Sequence, residues 1–126
     1  MNRFNRYADR LDVSLLKPLF TERGERRVYG RGEPFLTAGS VPRFVAFVES
    51  GVFRYTCLDG RGNEHVVGYA FPDEYVCDYR SFICGTAAVV DIRAVAESVS
   101  YLLPCTELER YWESGIEEND NGDHFN

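Results

Sequence analysis

Apolar residues recur at two different periods along this chain, and the change falls near residue 25. Between Asp9 and Phe20, Leu11, Leu15, Leu16 and Leu19 return at spacings of three and four, which puts them on one side of a helix. Pro18 and Gly24 predict that this helix is short or broken. From Glu25 onward, Val28, Phe35, Leu36, Val41, Phe44, Val45, Phe47 and Val48 stand in short β-branched and aromatic runs. Gly30, Gly32, Pro34, Gly39, Pro42 and Gly51 interrupt those runs, the punctuation of short strands and tight turns. The clearest hairpin joins Val52–Leu58 to Glu64–Tyr69 through Asp59-Gly60-Arg61-Gly62-Asn63, with the central Asp-Gly expected to take the positive-φ positions. Phe71 to Gly85 reads as a loop with a helical turn, and two further strands follow near Ala88–Ala96 and Ser98–Leu103. Thr106-Glu107-Leu108-Glu109 then has the form of a capping box, opening a helix that carries Leu108, Tyr111 and Trp112.

About eight short strands between an opening and a closing helix predict a mainly β domain, a small β-barrel or jelly roll with flanking short helices. The expected domain is 1–112, with 113–126 an acidic, frayed tail. With 9 Phe, 8 Tyr and 1 Trp in 126 residues, the chain has enough bulky apolar side chains to offset the entropy of ordering, which excludes a disordered class. No apolar stretch approaches the roughly 20 residues needed to cross a bilayer. The opening Met1-Asn2-Arg3-Phe4-Asn5-Arg6-Tyr7 has no apolar run after its bases, so no signal peptide is read and a cytoplasmic location is expected. Cys57, Cys77, Cys84 and Cys105 are then expected to stay reduced. They form no C-x-x-C pair and read as small buried hydrophobes rather than a metal or redox site.

The formal net charge of −6 is not spread evenly. Residues 107–126 hold seven acids against one base, Arg110, whereas residues 1–106 hold 13 acids and 13 bases. An acidic balance argues against a free-standing nucleic-acid binder, which needs a surplus of Lys and Arg to displace counterions. The uneven placement weakens that inference, because the excess acid belongs to the tail and the barrel is neutral. The first 31 residues lean the other way, with eight bases against four acids.

The order of these signals carries a resemblance. Gly32-Glu33-Pro34-Phe35-Leu36-Thr37-Ala38-Gly39 is a Gly-bounded strand and turn, Phe47-Val48-Glu49-Ser50-Gly51-Val52-Phe53-Arg54 an apolar run, a Gly and a strand, and Asp59 to Glu64 a hairpin. Asp78-Tyr79-Arg80-Ser81-Phe82, followed by Ile92-Arg93-Ala94-Val95-Ala96-Glu97-Ser98, completes the series. Together they resemble the cyclic-nucleotide-binding domain of Crp/Fnr-type bacterial regulators over about residues 12–112. The resemblance implies a double-stranded β-helix (jelly-roll) barrel flanked by helices. It also implies a ligand cassette in which backbone amides and an Arg-Ser pair hold a cyclic phosphate while an acid holds the ribose, the physics of any anion site. Here the cassette starts near Asp73-Glu74-Tyr75-Val76-Cys77-Asp78, and the glycines expected at Asp73 and Cys77 are absent. Asp78 falls on the ribose acid, and the Arg-Ser pair falls on Ala88-Val89, neither of which can pair with a phosphate. Asp73, Glu74 and Asp78 would repel one, so cAMP and cGMP are not the expected effectors. The resemblance further implies a dimer helix followed by a helix-turn-helix. Only the stretch from Thr106 to about Ile116 is present, so this chain alone is not expected to bind DNA directly.

The expected function is that of a non-enzymatic sensor domain with a degenerate cassette, comprising Glu74, Asp78, Tyr79, Arg80, Ser81, Ala88 and Val89, and with Leu108, Tyr111 and Trp112 on a helix for homodimer contact. Arg80 reads as a solvated turn residue or as a cation at the mouth of a repurposed pocket. Arg54 and Arg93, inside strands, read mainly as solvent-facing or acid-paired side chains. Tyr69, Phe71, Tyr75, Tyr79 and Phe82 read first as core packing and second as a ligand cage. The Leu108-Tyr111-Trp112 face packs on its own barrel or on a second copy. No cofactor and no metal are expected, since His65 and His124 cannot assemble the histidine set of a cupin-like metalloenzyme, the least favoured alternative. The other alternative is a ligand-free protein-interaction module.

Overall fold

The computed structural model describes residues 16–111. Of the expected Asp9–Phe20 helix, residues 9–15 lie outside that range, and helix α1 runs Lys17–Arg23. Pro18 sits in its first turn, where a missing N–H costs nothing, and at seven residues the helix is short, as its proline and Gly24 predict. Gly24 closes it, donating its N–H to the Phe20 carbonyl at 2.8 Å. The chain continues through β1 (Glu25–Tyr29), β2 (Pro34–Leu36), β3 (Phe44–Ser50), β4 (Phe53–Leu58), β5 (Glu64–Ala70) and β6 (Tyr75–Val76). Helix α2 (Tyr79–Cys84), β7 (Asp91–Ala94) and β8 (Ser98–Pro104) follow. Helix α3 covers 105–111 at the end of the described residues, so Thr106 lies inside its first turn and the helix begins one residue before the expected capping position.

The eight strands pair antiparallel in two four-stranded sheets of order β1-β8-β3-β6 and β2-β7-β4-β5. The jelly roll therefore takes the form of two facing sheets rather than one closed barrel. One core lies between them, where Tyr29, Ala46, Val48, Val76 and Leu102 of the first sheet meet Leu36, Phe53, Ala70, Ile92 and Ala94 of the second. Tyr29, Phe53 and Phe35 pack edge to face there at centroid distances of 5.2–6.5 Å. A second core covers the outer face of the first sheet. In it, Leu16 and Phe20 at α1 and Cys105 and Leu108 on α3 pack on Val45, Phe47, Cys77 and Leu103. Strand β3 thus alternates between two cores, with Val45 and Phe47 under the helices and Ala46 and Val48 between the sheets.

The chain changes sheet between β3 and β4 at Gly51, which adopts φ +83°. A Cβ there would collide with the side chain and Cα of Ser98, so both backbone angle and close approach require glycine. Buried Ser98 locks the crossing: its Oγ accepts from Val52 N–H at 3.1 Å and donates to Ala96 O at 2.9 Å. Val95 N–H adds a bond to Val52 O at 2.8 Å, tying this crossing to the second one, between β7 and β8.

The β4–β5 hairpin forms as expected, but its positive φ falls on Gly62 rather than on Asp59-Gly60. The Asp59 carboxylate organises the loop instead, accepting from the N–H groups of Arg61 and Asn63 at 2.8 and 2.9 Å through Oδ1. His65 Nε2 lies 2.8 Å from the other oxygen, and these bonds hold the Asp59 carboxyl below its ordinary value, the histidine contributing most. His65 is therefore a hairpin strut. Among the described residues no helix is long and apolar enough to cross a membrane. Substituting Gly51→Ala should destabilise the fold by roughly 1–3 kcal/mol, from positive-φ strain plus the clash with Ser98. Chemical denaturation of the two proteins checks it, and an unchanged midpoint refutes it.

Candidate functional site

Strand β6 leads the chain off the edge of the first sheet, held by pairing of Ala46 with Val76 and Phe47 with Tyr75. Before it, the backbone turns through Asp73 at φ +68°, the one positive-φ residue other than glycine among the described residues. The expected glycine is missing at this position, yet its backbone conformation is retained, at an energetic cost that an aspartate tolerates better than most residues. The turn is tied down by Asp73 N–H to Val48 O, Val48 N–H to Glu74 O and Phe71 N–H to Glu74 Oε1, at 2.9, 2.9 and 2.7 Å. The Glu74 side chain therefore spends one oxygen on its own loop. Exposed Lys17 approaches Asp73 to 3.5 Å from α1.

Asp78 caps helix α2. Its Oδ1 accepts from Ser81 N–H at 3.2 Å, and its Oδ2 lies 3.0 Å from Ser81 Oγ and accepts from Val89 N–H at 3.4 Å. Ser81 Oγ is also 3.2 Å from the Ala87 carbonyl, so the buried hydroxyl bridges the cap to the 87–89 segment. Ala88 is 4% exposed and packs in the inter-sheet core, with its backbone bonded to Gly39 and Ser40 at 2.8 Å each way. Val89 is 72% exposed.

The cassette residues named from sequence thus converge only in part. Asp78, Ser81 and the Ala88-Val89 backbone form one hydrogen-bonded unit, Glu74 serves the preceding turn, and Arg80 stands exposed on α2. Tyr79 opens that helix, and its side chain lies outside the described residues. The aromatic set divides as well. Tyr75 packs with Phe20 and Phe47 at 5.2 Å, Phe82 joins the same core, and Tyr69 stacks on Phe71 in the open at 6.0 Å. Burial pushes the Tyr75 hydroxyl up to about 12.

Pattern reading missed Tyr55. From β4 its hydroxyl accepts from Cys77 N–H at 3.1 Å, bridging the second sheet to the segment between β6 and Asp78. Burial drives its pKa well above the ordinary value. Tyr55, Gly68, Asp73, Glu74, Tyr75 and Cys77 border an open cleft of about 530 Å³ beside the cassette. A small-molecule effector fits that volume. The charged residues bordering it, Asp73 and Glu74, are acidic. Among the described residues no three His, Cys, Asp or Glu side chains gather as a metal site.

On α3, Leu108 is buried against the first sheet while Tyr111 is 42% exposed, and Trp112 lies outside the described residues. The side of this helix that carries Leu108 therefore packs on its own domain.

The two-sheet roll with its cassette is the architecture of a regulatory ligand-binding domain, and comparison with known proteins agrees. The family model for the cyclic nucleotide-binding domain matches residues 26–114, and the chain belongs to that family. A search of curated protein sequences returns no match. Among solved structures, the chain is similar to the catabolite activator protein of Thermus thermophilus at 16% identity and TM-score 0.65, covering 84% of this chain and 54% of that one. The c-di-GMP-responsive global regulator CLP of Xanthomonas campestris gives 17% identity and TM-score 0.71, covering 90% of this chain and 55% of that one. A mutant regulatory subunit of a cAMP-independent protein kinase A from Trypanosoma brucei, bound to cAMP in its A site, gives 18% identity and TM-score 0.71 over 93% of this chain and 42% of that one. The fold is thus that of the sensor domain of Crp/Fnr-type regulators, and the chain spans about half the length of these proteins.

Removing the cap with Asp78→Ala should cost roughly 1 kcal/mol, the usual worth of an N-cap aspartate. It should also raise amide exchange at Val89, and hydrogen exchange read by mass spectrometry or NMR checks this; unchanged protection would refute the bridging role.

Proposed function

We propose that this chain is the non-enzymatic effector-sensing domain of a Crp/Fnr-like regulator whose cassette does not hold a cyclic nucleotide. The observation that carries this reading is the state of the phosphate-binding positions. Where the family pattern places an Arg-Ser pair, Ala88 is turned into the core and Val89 into solvent, and neither supplies a cation or a hydroxyl. The amide end of α2 already holds an anion, its own Asp78 carboxylate. Asp73 and Glu74 add negative charge at the neighbouring turn, so a phosphate would meet repulsion there.

A neutral or cationic small molecule suits the 530 Å³ cleft better than a cyclic phosphate. Binding there would act on the 105–111 helix, because Cys77 beside the cassette and Cys105 and Leu108 on α3 share one core. In this reading exposed Tyr111 belongs to a homodimer contact. A second reading, a ligand-free interaction module, is favoured by one observation: the space between the sheets is filled by the chain's own Tyr29, Phe35 and Phe53.

Calorimetric titration with cAMP, cGMP and cyclic di-GMP should give no saturable heat, and micromolar binding of cAMP or cGMP would overturn the degenerate cassette. In sedimentation experiments the chain should behave as a dimer and Tyr111→Glu should shift it toward monomer. A monomeric wild type would remove the dimer assignment without touching the cassette.

A further inference from the structure

We propose a second anion site, distinct from the cassette, on the outer face of the β2-β7-β4-β5 sheet, built by Arg31, Arg54 and Arg93 for a compact dianionic metabolite with a carboxylate or phosphate head. Alternation along the strands sets up the site. Phe53, Ile92 and Ala94 point into the inter-sheet core, so Arg54 on β4 and Arg93 on β7 emerge on the other face. The register sets these two arginines directly opposite each other. Like charges at that spacing destabilise a sheet, and an anion between them would reverse the sign of the interaction.

Arg31 enters from the turn between β1 and β2, which is anchored on β7. Gly32 N–H donates to Ala94 O at 2.8 Å, and Arg93 Nη1 donates to Gly32 O at 3.1 Å. Arg31, Arg54 and Arg93 border a cleft of about 220 Å³ together with Thr56, which is 7% exposed. Glu64 is the one carboxylate along the cleft, and among the described residues none of the three arginines lies within 4.0 Å of a carboxylate. The Nε–H of Arg54 is fully buried and has no acceptor. A buried donor without a partner is rare in a folded protein, and this one is open to bonding by a ligand, an ion or a water. The Arg54 guanidinium is steadied by the Tyr69 ring at 6.0 Å, which leaves its donors available. Guanidinium forks match the paired oxygens of carboxylate and phosphate equally well. Three positive groups against one negative favour a doubly charged ligand, and the volume limits it to a small one.

The site stands independently of what the cassette binds. The test titrates the full chain, nitrogen-15 labelled, with inorganic phosphate and separately with succinate, at ionic strength held constant with sodium chloride. Saturable amide shifts at Gly32, Thr56 and Ala94 with either probe support the site, and the tighter probe identifies the head group. Arg54→Gln and Arg93→Gln should each weaken binding at least tenfold, while Glu64→Gln should tighten it severalfold. Absence of saturable shifts with both probes overturns the proposal, as does unchanged affinity in a folded Arg54→Gln protein. If Arg54→Gln does not fold, Glu64→Gln decides, since affinity that fails to rise also overturns it.

Discussion

Residues 45–48 of strand β3 are buried on both faces, and the rest of the molecule is arranged to satisfy them. Its segment Phe44-Val45-Ala46-Phe47-Val48 has no polar face to offer water, so the sheet around it must be covered twice. The second sheet covers Ala46 and Val48; α1 and α3 cover Val45 and Phe47. Burial of a large aliphatic or aromatic side chain is worth about 1.5–3 kcal/mol, so leaving either face uncovered would cost a large part of a typical domain's stability. Gly51 follows from the same demand. The chain must leave this sheet abruptly and enter the opposite one, and Ser98 approaches too closely for any side chain at the turn.

This layering also explains why the cassette and the terminal helix are neighbours. Strand β6 is only two residues long, yet its pairing with β3 delivers Cys77 to the core beneath the helices and Asp78 to the start of α2. Cys105, at the start of α3, sits against Cys77, and that thiol contact together with burial pushes the Cys77 pKa far up. Both sulfurs are buried in the shared core, and the Cys77 thiol acts there as a packing group. Tyr55 bridges the same point from the opposite sheet. The 73–78 segment is thus joined to both sheets and to the core beneath α3.

Charge is sorted by face and not by bulk composition. The acids Asp73, Glu74 and Asp78 occupy the cassette side, and three arginines converge on the outer face of the other sheet. The net −6 describes neither surface, since its excess lies in residues 107–126. Local fields decide what each cleft tolerates, because screening in salt confines exposed charges to a range of about 10 Å.

Local chemistry determined much of this protein. Period and punctuation were enough for most of the strands, a mainly β class and the β4–β5 hairpin, because alternation and glycine placement are properties of short segments; the two-residue β6 falls in the stretch read as a loop, and β7 is shorter than the expected Ala88–Ala96 strand. The ordered motifs were enough for the family, and the residues at positions 88 and 89 were enough to doubt a phosphate ligand. Tertiary structure decided what depends on contacts between distant segments. Gly62 rather than Asp59-Gly60 takes the positive φ, in a loop whose Asp59 carboxylate accepts from Arg61 and Asn63 and meets His65 six residues away. Tyr55 looked like any strand aromatic until Cys77 came within reach of its hydroxyl, 22 residues along the chain. Arg54 and Arg93 are 39 residues apart and became neighbours only through the register of β4 on β7, a pairing that no local pattern encodes.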